Sequence, residues 1–90
     1  MKNILITGAS QGIGKATAVE AAKNKMFVGI NYNKNLEAAQ SCLDEVKLAG
    51  GDGMILHCDV ADSNAVKEMF NKFLAKVKTI DGVFNNAGIT

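Results

Sequence analysis

Between Thr7 and Gly14 the chain reads Thr-Gly-Ala-Ser-Gln-Gly-Ile-Gly, and the spacing of Gly8, Gly12 and Gly14 suits a backbone cradle for phosphate. Each glycine has its own reason. Gly8 lets the chain turn sharply off a strand, Gly12 lets backbone approach a pyrophosphate, and Gly14 lets the following helix pack closely. A helix beginning near Ile13 adds unpaired N–H groups and the positive end of its dipole. Glycines in a row are also ordinary turn chemistry; the apolar run before this loop and the helical pattern after it favour the phosphate reading. The nucleotide-hydrolase loop is a competing motif, since Gly14-Lys15 resembles its end. It fails at two positions: its first glycine falls on Ala9 and its magnesium-binding hydroxyl on Ala16.

The remaining chemistry-bearing side chains are few. Cys42 and Cys58 form no Cys-x-x-Cys pair, and both read as reduced, part-buried small hydrophobes. His57 has no second histidine at ligand spacing, so no metal site is expected and His57 receives no role. About 20 residues beyond the glycines, where an NAD site places a carboxylate for the ribose 2′-hydroxyl, stands Asn31-Tyr32-Asn33-Lys34. Without a carboxylate there to repel a 2′-phosphate, and with Ser10, Asn33 and Lys34 able to donate to one, NADP is the expected cofactor, with NAD as the alternative.

These residues require a scaffold that gathers strand ends. Four nearly continuous apolar runs, Asn3 to Thr7, Met26 to Tyr32, Met54 to Cys58 and Gly82 to Asn85, have strand length and suit a parallel sheet covered on both faces. Helical patterns separate them. The first begins near Ile13 with Ala16, Ala18, Val19, Ala21 and Ala22, small enough to lie close to a sheet. The second spans Leu36 to Ala49, with Leu36, Ala39, Leu43 and Val46 as its buried stripe and Gly50-Gly51 as its stop. The third sets Val66, Met69, Phe70, Phe73, Leu74 and Val77 on one face, with Asp62 or Ser63 as cap. Right-handed crossovers then leave few topologies, of which the doubly wound one, an α/β, Rossmann-like parallel sheet, first half only, with three helices, places the strands in the order 3-2-1-4.

Composition agrees with a globular domain. Apolar residues make up 48% of the 90 and charged ones 21%, close to the soluble average. A formal net charge of +1 with scattered lysines gives no reason to expect nucleic acid or an anionic membrane as partner. The longest apolar runs are far too short to cross a bilayer, and no signal-peptide pattern opens the chain, so a cytoplasmic location is expected.

Taken together, the Gly-x-x-x-Gly-x-Gly loop, Cys58-Asp59-Val60-Ala61-Asp62 after the third strand and Asn85-Asn86-Ala87-Gly88 after the fourth resemble the classical short-chain dehydrogenase/reductases, along the whole chain. The resemblance implies that Asp59 accepts from the adenine amino group and that the Val60 backbone lies against the same ring. It also implies that Asn85, with Asn86, Ala87 and Gly88, lines the adenosine ribose and steadies the sheet. Asp59 has a plainer reading as a turn or cap residue. Where relatives often carry a basic residue in the glycine loop, this chain has Gln11. The family's catalytic serine and Tyr-x-x-x-Lys pair are not matched: the only tyrosine is Tyr32, and four positions on stands Leu36.

The expected site is therefore Gly8, Ser10, Gln11, Gly12, Ile13, Gly14, Asn31 to Lys34, Asp59, Val60 and Asn85 to Gly88, with no catalytic residue. The expected protein is residues 1–90 of a partial NAD(P)-binding domain, truncated after the fourth strand, with a natural half-domain as the alternative. Its intact parent is expected to be a homo-oligomer interconverting a small-molecule carbonyl and a secondary alcohol. The ending Asn85 to Thr90 resembles 3-oxoacyl-carrier-protein reductases, while Val28 to Lys34 resembles sugar and broad-range members equally. Two other classes fit the same residues: a non-catalytic dinucleotide sensor, and an interaction module pairing through an open strand edge.

Overall fold

In the computed structural model, which describes residues 2–9 and 12–86, the apolar runs form four parallel strands and the periodic segments form three helices. In chain order they are β1 (Asn3–Thr7), α1 (Gly12–Lys23), β2 (Phe27–Tyr32), α2 (Leu36–Leu48), β3 (Asp52–His57), α3 (Ser63–Val77) and β4 (Gly82–Asn85). The strand order is β3-β2-β1-β4, the doubly wound order expected from the sequence. β1 is central, with Ile6 opposite both Ile30 and Phe84, and Thr7 opposite Asn85.

Two apolar layers hold the sheet. On one face Ile6, Val28 and Ile30 pack against Ala18, Ala21 and Ala22 of α1 and Ala39, Cys42, Leu43 and Val46 of α2. On the other, Leu5, Phe27 and Leu56 pack against Met69 and Phe73 of α3. Gly29 makes room for that second layer, because a Cβ there would stand 2.8 Å from Phe73 and 2.9 Å from Leu5. The Phe27 and Phe73 rings then stack at 6.2 Å between centroids.

Helix ends follow local chemistry. Asn35 caps α2 by accepting from the Ala38 N–H, and Asp62 caps α3 by accepting from Asn64 and Ala65. Gly50, at φ +103°, makes the left-handed stop after α2. The turn into β4 is strapped to β1, since the Asn3 N–H donates to the Asp81 carboxylate at 2.7 Å and Asp81 N–H returns to the Asn3 carbonyl at 2.8 Å.

Three expectations are corrected. β3 begins at Asp52 rather than Met54, because pairing along β2 runs back to Phe27↔Asp52 through residues with no apolar signal. Leu36 is 52% exposed, so the buried stripe of α2 starts at Ala39 and includes Cys42. A first-turn side chain points back beyond the helix N-terminus, past the contact with the sheet. On α3, Met69 and Phe73 are buried, but Leu74 is 39% exposed. Among the described residues β4 forms the sheet edge, with Val83 half exposed beside that helix face. No helix among them is long and apolar enough to cross a membrane.

Phe73, fully buried in the layer with Leu5, Phe27 and Leu56, is the side chain on which the α3 layer turns. Phe73→Ala is expected to lower unfolding stability by about 3–5 kcal/mol, read as a drop in the urea midpoint. A loss below about 1 kcal/mol would mean that α3 is held by something other than this contact.

Candidate functional site

The site lies where the carboxyl ends of the strands converge, and its centre is the Gly8 peptide. Gly8 takes φ +61° as the chain leaves β1, a conformation that favours glycine. Its N–H donates to Asn31 Oδ1 at 3.1 Å, and its carbonyl accepts from Asn86 Nδ2 at 3.2 Å. The next residue adds a third tie, Ala9 N–H to the Asn31 carbonyl at 3.1 Å. The turn is thus fixed from β2 on one side and from the end of β4 on the other.

Thr7 completes the β1–β4 side. Its hydroxyl donates to Asn85 Oδ1 at 3.0 Å and accepts from the Asn86 N–H at 2.9 Å. Sequence reasoning quoted Thr7 within the loop but gave it no role. The available signal was a hydroxyl on the last residue of β1, opposite the asparagines once strands 1 and 4 are neighbours.

Gly12 opens α1 at φ +64°, and the space where its Cβ would stand is empty to 4 Å. Gly14 is the reverse case: a Cβ would lie 2.5 Å from the Gly8 carbonyl oxygen and 2.9 Å from both Ala9 Cα and Asn86 Nδ2. The expectation of close helix–sheet packing at Gly14 becomes more specific here, because the glycine seats α1 on the loop itself. No acidic side chain occupies the first turn of α1, and Ile13 is largely exposed there. Unpaired N–H groups, the dipole's positive end and an open approach at Gly12 fit the pyrophosphate of a dinucleotide.

The structure separates the Asn31 to Lys34 group. Asn31 is 2% exposed, with its carboxamide committed to backbone groups, so its side chain is not free to contact a cofactor as expected. Tyr32 packs against the layer under α1 and α2, its ring tilted against His57 at 5.4 Å. That side chain is a sheet residue, and the expectation of Tyr32 as a cofactor contact is corrected to that extent. Alternation along the strand explains it, since successive side chains take opposite faces. Asn33 and Lys34, beyond the strand, are exposed.

Asp59 makes the turn that its plainer reading anticipated, Oδ1 accepting from the Ala61 N–H at 2.9 Å. Val60 lines a cleft of about 290 Å³ with Thr7 and Asn85 from the strand ends, Val66, Met69 and Phe70 from α3, and Val83. Val60 and Asn85 are therefore brought together. Ser10, Gln11, Ala87 and Gly88 lie outside the described residues.

Lys15, which imitated a nucleotide-hydrolase lysine, pairs instead with Glu45 of α2, and that hydrogen bond raises its pKa. Burial pushes the Cys42 thiol up to about 11, and burial with nearby Asp59, Asp62 and Glu68 raises Cys58. Both stay protonated at neutral pH, as inert thiols. No group of His, Cys, Asp and Glu among the described residues could hold a metal.

Comparison with known proteins agrees with this geometry. The family model for short chain dehydrogenase matches residues 2–90. A 3-oxoacyl-[acyl-carrier-protein] reductase FabG of Staphylococcus aureus is 37% identical over 89 residues, covering 99% of this chain and 36% of that protein. The chain thus spans about a third of the length of such relatives. An NADH-dependent reductase A1-R′ complexed with NAD superposes with a TM-score of 0.87 at 33% identity, covering 93% of this chain and 35% of its own. A putative dehydrogenase from Burkholderia cenocepacia with bound NADP gives 0.87 at 25% identity, with 93% and 33% covered. With its strand order, its glycine turn and its paired asparagines in place, the chain belongs to the short-chain dehydrogenase family.

Proposed function

We propose that this chain holds the adenosine and pyrophosphate of a nicotinamide dinucleotide, NADP in preference to NAD, within a protein that interconverts a carbonyl and a secondary alcohol. The observation that carries the reading is Gly12, left-handed and open at the start of α1, beside a Gly8 turn already fixed in place. Pyrophosphate oxygens accept from the N–H groups between Gly12 and Gly14, with Ser10 and Gln11 completing the loop. Asp59 accepts from the adenine amino group through the carboxylate oxygen that its turn leaves over, and the Val60 backbone lies against the ring. Asn85 to Gly88 line the ribose. Asn33 and Lys34 donate to the 2′-phosphate, which no carboxylate at the end of β2 repels.

The nicotinamide ring supplies or accepts the hydride; this chain's residues bind and orient the dinucleotide. Similarity to 3-oxoacyl-[acyl-carrier-protein] reductases supports a carbonyl substrate of that kind.

Titration calorimetry on the protein carrying this chain tests the reading, with NADP expected to bind more tightly than NAD. Lys34→Ala is expected to weaken NADP about fivefold and leave NAD unchanged, the size of one exposed charge-assisted bond. Equal preference before and after that substitution would contradict the assignment of NADP. Gly14→Ala should weaken both dinucleotides alike, by roughly tenfold, because the added methyl displaces the Gly8 turn, an overpacking cost of about 1–3 kcal/mol. Retained affinity in that variant would place the anion elsewhere.

A further inference from the structure

We propose that Asn31 is a positioning residue for dinucleotide binding, a buried clasp that fixes the Gly8 turn and ties it to the strand end bearing Asp59. This inference rests on the reading of the strand ends as a dinucleotide site, and it concerns a residue that touches no ligand.

The carboxamide spans the ends of three strands. Oδ1 accepts from the Gly8 N–H at the exit of β1, while Nδ2 donates to the Leu56 carbonyl at 3.2 Å and the Cys58 carbonyl at 3.1 Å at the end of β3. These partners fix which end of the amide is oxygen, because an N–H needs an acceptor and two carbonyls need donors. The β2–β3 register ends at Tyr32↔His57, and Cys58 is buried, so Asn31 serves carbonyl groups at the margin of the ladder.

Neither an aliphatic side chain nor a carboxylate meets the same demands. An aliphatic residue leaves one donor and two acceptors without this partner in a buried place. A carboxylate keeps the acceptor for Gly8 but sets negative charge against two carbonyl oxygens. Asparagine satisfies both ends, and the result is a loop whose geometry is set before any ligand arrives. A ligand meeting an ordered loop does not supply the ordering itself, which is how a residue beneath a site raises affinity. Because the Asn31 carboxamide is buried and committed to backbone groups, whereas Lys34 is exposed, its loss should affect NAD and NADP by the same factor.

The experiment uses the protein carrying this chain, with Kd for NADP and NAD measured by calorimetry from pH 5 to pH 8 on wild type, Asn31→Ala and Asn31→Asp. Asn31→Ala is expected to weaken both dinucleotides roughly tenfold or more, in equal ratio. Asn31→Asp should be similarly weak at pH 8 and recover toward wild type near pH 5, where a protonated carboxyl again offers one donor and one acceptor. Wild type is titrated alongside, so that neighbouring groups, His57 and Asp59 among them, cancel in the ratio. A residue that only stabilised the fold would lower the melting temperature without this pH-dependent ratio in Kd, measured well below melting. If Asn31→Ala fails to fold, the acid recovery of Asn31→Asp decides: recovery supports the clasp, and its absence overturns it. Variants that bind within twofold of a binding wild type overturn the clasp alone, whereas a wild type that binds neither dinucleotide withdraws the proposed function and the clasp together.

Discussion

The peptide of Gly8 is held at both of its hydrogen-bonding groups by asparagine side chains from different strands, and the site depends on that restraint. Gly8 leaves β1 in a left-handed conformation that an unrestrained glycine would share with many others. Asn31 and Asn86 select one. Once the turn is set, Gly14 can seat α1 upon it, and the start of α1 stands over the strand ends with Gly12 uncovered. Anion binding at a helix N-terminus needs a fixed helix, and this helix is fixed through the loop as well as through its alanine face.

The restraint requires the strand order. Thr7 lies opposite Asn85 only because β4 is the neighbour of β1, and Asn31 reaches both Gly8 and Cys58 only because β2 lies between β1 and β3. That order is one of the few that right-handed crossovers allow, and helices whose apolar stripes cover the two faces hold it. The small residues of α1 and the bulky Met69 and Phe73 of α3 divide the work, one face permitting close approach and the other filling a deeper layer.

Much of this was legible in the sequence, for reasons that can be given residue by residue. Strand order and helix positions came from apolar runs and three-to-four spacing, signals that burial imposes directly. The expected need for glycine at positions 12 and 14 rests on its missing side chain, and the space there is open at one and crowded at the other. The start of β3 was not legible, because Asp52 and Gly53 pair through backbone and carry no apolar mark. Neither was the exposure of Leu36, which depends on where α2 first meets the sheet rather than on helical period. Asn31 is placed by its sequence position among the cofactor-binding residues at the end of the second strand. Its side chain faces inward because three backbone groups, distant in sequence, require it, and such a demand appears only once the strands are assembled.

The most direct test of the account is an amide NMR titration of the protein carrying this chain with NADP. The account predicts that the largest shifts fall on Gly8, Gly12, Ile13 and Gly14, with a second group at Asp59, Val60 and Asn86, and that amides in the middle of α2 stay unmoved. Saturable binding whose shifts centre on α2 or on the outer face of α3, leaving the glycine amides in place, would contradict it.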